Sequence, residues 1–312
     1  NTLNTPVYIL ATGAINVAGE INVDGKDGTS SPPVGGLGGP GGYAGGIPGI
    51  SGSNAGDGQG PGAGGWGTDT SNSGRAAYGS APNQRAADGK VYGSPLLVPL
   101  VGGSGGGGYN GQPGTGGGGG GGAFLAASNE EIVIPGGGRI QSQAGRGTGG
   151  SNSGSGGAIR LVSPVVRGTG ILNVDGYFSG NGRIRVDVID RRQLQFNVQP
   201  VASYSVGGFM QVFPDPLPRL DVTHVAGKDI PEGTTEAVLV TLPLNSSATQ
   251  EVRVQGRDFV GLVPITVILT PDSGSSVIED ATIDMSGGNP SEVSLMMGFP
   301  VNTPVAVNAF TR

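Results

Sequence analysis

Residues 6–25 read PVYILATGAINVAGEINVDG. Apolar side chains alternate with small or polar ones at Ile15 and Val17 and again at Ile21 and Val23, the period-two signature of short strands, with Gly13 and Gly19 at turn positions between them. Related blocks return at 123–145 (AFLAASNEEIVIPGGGRIQSQAG) and at 158–176 (AIRLVSPVVRGTGILNVDG). Each block opens with an apolar strand (7–10, 123–126, 158–162) and continues through a polar step, a second strand, a glycine turn and a third strand. The third strands Ile21-Asn22-Val23-Asp24-Gly25 and Leu172-Asn173-Val174-Asp175-Gly176 differ at one position. One such unit cannot bury its apolar face alone, so the repetition predicts strand–turn–strand coils stacked on one another.

Working outward, the space between the blocks is glycine. The chain of 312 residues holds 65 glycines, 57 of them before Asp215, and Gly116 to Gly122 are unbroken. Such tracts commonly serve as flexible linkers. These carry scattered apolar and aromatic residues that a linker avoids, among them Leu37, Tyr43, Ile47, Trp66, Tyr78 and Leu97. Fixing a glycine costs roughly 0.5–1 kcal/mol more than fixing an alanine, and glycine has no side chain to bury in compensation. Order would therefore have to come from backbone hydrogen bonds between extended threefold segments packed side by side.

The proline cluster Pro214-Asp215-Pro216-Leu217-Pro218 cannot continue a regular element and marks a boundary. After Pro214 the composition changes: 8 glycines, 5 Lys/Arg and 12 Asp/Glu, and seven alternating stretches at 220–225, 237–242, 251–254, 265–269, 281–285, 293–296 and 305–310. The expected architecture is all-β. A glycine-rich β-solenoid-like body with extended polyglycine-type segments spans 1–214, and a seven-stranded, immunoglobulin-like β-sandwich spans 215–312.

The runs Tyr92-Gly93-Ser94-Pro95-Leu96-Leu97-Val98-Pro99-Leu100-Val101-Gly102-Gly103, 116–125, Gly154-Ser155-Gly156-Gly157-Ala158-Ile159-Arg160-Leu161 and Gly182-Arg183-Ile184-Arg185-Val186 resemble glycine-rich surface and secreted proteins of bacteria with β-helix or autotransporter-like exteriors. The resemblance covers roughly residues 7–190 and implies an extracellular structural role, not a chemistry. A start at Asn1 with no basic-plus-apolar leader adds the expectation of a removed signal peptide and a secreted or cell-surface chain.

The residues argue against chemistry. No cysteine is present, which removes thiol catalysis, Cys-ligated metal and disulfides. His224 is the only histidine, so a histidine metal cluster is impossible and a triad would have to be assembled around an isolated group. The Asp-Gly pairs at 24, 27, 57, 88 and 175 read as turn formers rather than as calcium ligands. Gly-x-Gly-x-x-Gly matches are frequent, but none joins a strand to a helix. Asn245-Ser246-Ser247 reads as a turn, although it also fits the glycan acceptor pattern. No Lys/Arg cluster suits nucleic acid, and no run approaches the ~20 apolar residues of a membrane span.

The expectation is a non-enzyme without cofactor or metal: a self-assembling subunit of a filament or surface layer, with identical subunits as partners and possible cell-surface or matrix contact. A monomeric adhesin is the alternative. An ice-binding protein fits less well because no regular Thr-x-Thr ladder occurs, and a polysaccharide-active β-helix enzyme fits less well because no carboxylate pair stands out. The assembly edge is expected at Val7, Tyr8, Ile9 and Leu10, the uncapped first strand, with Phe209 and Phe213 as the opposing surface.

Overall fold

The computed structural model describes residues 4–50, 53–69, 71–82, 84–111, 114–147, 152–214, 217–235 and 237–311. They form two units, Asn1–Val212 and Phe213–Arg312.

The strands of the first unit are β1 (Val7–Ala11), β2 (Ile15–Asn16), β3 (Glu20–Asn22), β4 (Thr29–Ser30), β5 (Pro33–Val34), β6 (Ala123–Ser128), β7 (Glu131–Val133), β8 (Arg139–Gln141), β9 (Ala158–Arg167), β10 (Ile171–Asn173), β11 (Arg183–Asp190), β12 (Asn197–Gln199) and β13 (Tyr204–Gly207). A first parallel sheet has the order β1-β6-β9-β11-β13, with β2 and β7 continuing beside the second half of β9. A second parallel sheet has the order β3-β8-β10-β12. Register aligns apolar side chains across the first sheet in two columns, Val7-Phe124-Ile159-Ile184-Tyr204 and Ile9-Ala126-Leu161-Val186-Val206. The second sheet contributes Ile21-Ile140-Leu172-Val198. The three columns feed one core, in which Phe124, Ile140, Ile159 and Leu172 are fully buried, while Ile9 at the edge stays exposed.

The solenoid expected from the repeated blocks does not form. The strands build separate parallel and antiparallel sheets with no closed barrel and no solenoid. A solenoid needs each winding to lead directly into the next. Here the chain leaves β5 at Val34 and regains the first sheet only at Ala123, and what lies between bonds laterally in several directions instead of winding.

Gly116–Gly122 shows how. The amides of Gly116, Gly119 and Gly122 donate to the carbonyls of Thr29, Lys26 and Val23 at 3.2, 2.9 and 2.7 Å. Those of Gly117 and Gly120 donate to Gly46 and Tyr43, and those of Gly118 and Gly121 to Asn152 and Ser155. Each partner is thus revisited every third residue, the mark of a threefold extended helix. The carbonyls of the same segment accept from Gly36 and Gly39, from Gly103 and Gly106, and from Gly145 and Ala158. The segments surrounding it also bond to one another in a closed ring: Lys26 to Leu37, Gly45 to Gly36, Tyr43 to Gly103, Ser155 to Ser104, Gly154 to Gly145 and Gly25 to Gln143. Gly116–Gly122 is the centre of a hexagonal array held mainly by backbone hydrogen bonds. Only glycine permits it, because a Cβ at almost any of these positions would strike a neighbouring carbonyl.

The recurring Asn-x-Asp-Gly sequence joins the two kinds of structure. Asn22 Oδ1 accepts the Asp24 amide at 2.9 Å, and Asn173 Oδ1 accepts that of Asp175 at 2.9 Å, which ends each strand in an Asx turn. Val23 and Val174 remain in the core while the next residues enter the glycine array.

The second unit contains β14 (Arg219–Val225), β15 (Lys228–Asp229), β16 (Thr249–Arg257), β17 (Leu262–Pro271), β18 (Val277–Asp284), β19 (Ser291–Gly298) and β20 (Val305–Thr311). They form antiparallel sheets β15-β14-β16-β19 and β18-β17-β20, with Val252, Val254, Ile265, Val267, Leu269 and Ile283 in one shared cluster. The strand expected at 237–242 is absent: those residues are irregular and Leu239 is 83% exposed. The two-residue β15 pairs with β14 instead.

Candidate assembly surface

The core of the first unit is sealed along its sides and open at its ends. Its central side chains are fully buried, whereas the apolar residues only partly buried against it belong to the outermost strands or their flanks: Val7, Ile15 and Ile21 at one end, and Leu194, Phe196, Val198, Tyr204 and Val206 at the other. Among the described residues, β1 and β13 each pair on one side only. Parallel edges carry unpaired backbone groups and tend to recruit another strand.

The four residues expected at the first edge lie together on β1. Val7 packs inward, while Tyr8, Ile9 and Leu10 are 41%, 37% and 57% exposed. The glycine array extends this apolar surface. In the run Val34-Gly-Gly-Leu37 the side chains stand three positions apart, hence on one side of a threefold segment, and they are 47% and 70% exposed; the chain then turns at Pro40-Gly41, and Tyr43 belongs to the next segment of the ring. Residues 36–39 occupy the place in the ring opposite 152–155, on the side of the first strands.

The opposing residues are separated. Phe209 belongs to the first unit and is half-buried. Its amide donates to Asp187 Oδ1 at 3.0 Å, its carbonyl accepts from Arg160 Nη2 at 3.0 Å, and its ring lies 5.5 Å from the Arg160 guanidinium. Phe213, 48% exposed, begins the second unit. Phe209 therefore anchors the tail after β13, which crosses the outer face of the first sheet: Arg160 also donates to the carbonyls of Gln211 and Val212 at 2.9 and 3.4 Å. Beneath that tail Arg160 and Asp187 are fully buried and paired at 3.4 Å, and Arg185 bonds the same carboxylate at 2.7 Å. Burial lowers the pKa of Arg160 from its ordinary value, and Asp187 opposes that shift.

The remaining candidates have structural partners. All five Asp-Gly carboxylates accept backbone amides: Asp24 from Gln143, Asp27 from Arg146, Asp57 from Trp66, Asp88 from Arg75, and Asp175 from Tyr177, at 2.6 to 2.9 Å. Most fasten one glycine segment to another. His224 bonds Asp229 through Nδ1 at 2.6 Å and accepts the Gly227 amide at Nε2, which holds the β14–β15 turn. Asn245 sits in an exposed turn with φ +68°. Among the described residues no group of three or more His, Cys, Asp or Glu is placed to hold a metal, and no helix is long and apolar enough to cross a membrane.

No family model matches the chain, and comparison with curated proteins and with solved structures finds no match to either.

Proposed function

We propose that this chain is a structural protein that joins copies of itself end to end, as the subunit of an extracellular filament or surface layer. The observation carrying this reading is the apolar core that runs out, half-covered, at both ends of the first unit. A monomer normally covers such ends with polar caps. The glycine array supports the role mechanically, because cross-linking by backbone hydrogen bonds on all sides of a segment makes a stiff body from little side-chain mass. The second unit, whose sequence carries 12 acidic and 5 basic residues, would ride on each subunit and keep the polymer soluble. The extracellular placement rests on the resemblance of the glycine-rich runs to secreted and surface proteins.

Electron microscopy and sedimentation of the full chain over a wide concentration range test the proposal. Filaments or sheets with a constant subunit repeat, growing above a threshold concentration, are expected. A monodisperse monomer at every concentration would overturn it and favour an adhesin acting alone.

A further inference from the structure

The two end strands differ in a way that specifies how they meet. The first sheet has five strands in its main path and the second has four, so β13 has no counterpart in the second sheet. Its outer edge and that of β1 are complementary: both strands run in the same direction within one parallel sheet, so β1 of a second copy can add to β13 with the direction and spacing that the sheet already uses. The side-chain columns continue across such a joint. Tyr204 and Val206 on β13 close the columns that Val7 and Ile9 on β1 open, so extending the register sets Val7 beside Tyr204, Tyr8 beside Ser205 and Ile9 beside Val206.

The other face carries a second match. Tyr8 begins the column Tyr8-Leu125-Arg160-Arg185-Ser205. Beside Ser205 lies a recess of about 140 Å³ lined by Ser203, Ser205, Arg183, Pro95, Ser80 and Gly79. A cavity near 150 Å³ accepts a benzene ring. Arg183, one of its lining residues, donates through Nη2 to the Tyr92 carbonyl and lies 5.6 Å from the centre of the Tyr78 ring. A phenol ring entering there would supply an oxygen acceptor or a π-face for that guanidinium.

We infer that a second copy of this chain docks its β1 in parallel onto β13, with its Tyr8 ring seated in the recess beside Ser205 and Arg183. This rests on the end-to-end reading above and names its joint. The contact is head-to-tail, so it does not close on itself and propagates into a filament.

The chain has no cysteine, which permits a direct test. Ile9→Cys with Val206→Cys in one chain places two thiols face to face across the joint, where the strand spacing of about 4.8 Å falls within disulfide range. Within a single chain the same two positions are four strand spacings apart, about 19 Å, too far to bridge. Mild oxidation of polymers is expected to give a ladder of covalent multimers that collapses on reduction. The register-shifted pair, Ile9→Cys with Ser205→Cys, points its thiols to opposite faces and is expected to give none. Filaments seen by microscopy without a ladder from the first pair would overturn this joint and leave the end-to-end reading standing. Absence of filaments from the unmodified chain would overturn both. Tyr8→Ala, at an exposed edge and checked for an unchanged near-ultraviolet circular dichroism spectrum, is expected to raise the assembly threshold at least tenfold, as loss of an aromatic anchor does. An unchanged threshold would overturn the role of the recess.

Discussion

Gly119→Ala is expected to abolish folding of the first unit. Gly119 stands at the middle of the central segment of the array, donating to Lys26 and accepting from Gly145. A methyl group there would lie 2.5 Å from the Leu37 carbonyl carbon and 2.9 Å from the Gly36 oxygen. Both are backbone atoms, and no rotamer change can move them aside. Over-packing an ordinary core costs about 1–3 kcal/mol because side chains yield. In this array relief requires separating whole segments and breaking hydrogen bonds on several sides, so the loss should exceed about 4 kcal/mol, the range reserved for exceptional substitutions. Gly13→Ala is the control: nothing lies within 4 Å of its added methyl, and its effect should stay within about 0.5 kcal/mol. Calorimetry or urea unfolding of the full chain measures both. An intact cooperative transition of the first unit in Gly119→Ala would show that the segments are not packed backbone to backbone.

Asp187→Ala is the second large effect. The change removes the carboxylate that Arg160 and Arg185 share and that accepts the Phe209 amide. Arg160 is then buried as a cation with no carboxylate, held by backbone carbonyls and the Phe209 ring. Breaking a buried pair by deleting one partner costs about 3–5 kcal/mol. The tail 208–212 should loosen with it, which limited proteolysis after β13 would detect. Removing both charges, Arg160→Met with Asp187→Leu, should recover much of the loss, because an apolar pair of similar volume is often as stable as a buried ion pair. Arg185 keeps 13% of its side-chain exposure and can turn to water. If Asp187→Ala unfolds at the same denaturant concentration as the parent chain, the pair contributes no measurable stability.

Alternation located many of the strands but not their neighbours. The runs at 123–126, 158–162 and 182–188 lie in or overlap β6, β9 and β11, since apolar residues facing one core must recur at every second position. Which strand pairs with which was hidden, because β1 meets β6 across more than a hundred residues of glycine-rich chain whose glycines carry no side-chain record of their path. The same blankness concealed the array. Nothing in Gly116–Gly122 marks its six neighbours; the three-residue spacing of Val34 and Leu37 marks one of them as a threefold segment. The solenoid expectation failed because the glycine segments, expected as a bundle beside stacked coils, interrupt the winding between β5 and β6 and bond laterally to the rest of the body. The stretch 237–242 misled in the opposite sense. Its Val and Leu residues suit a strand, but among the described residues of the stretch only Val240 packs against the core, and none of them pairs in a sheet. At the candidate surface, the strand β1 was legible from the apolar run at 7–10. The burial of Arg160 and Asp187 was not, because charged residues alternating along β9 and β11 look solvent-facing until the tail bearing Phe209 folds over them.

The account depends on the glycine segments forming a hydrogen-bonded solid that holds both ends of the body in place. Amide hydrogen exchange resolved over residues 116–122 of the full chain tests this most directly, because each of those seven amides has a named acceptor. Exchange slowed to the limit set by unfolding of the whole first unit is the predicted result. Exchange at the rate of an unstructured glycine peptide would contradict it.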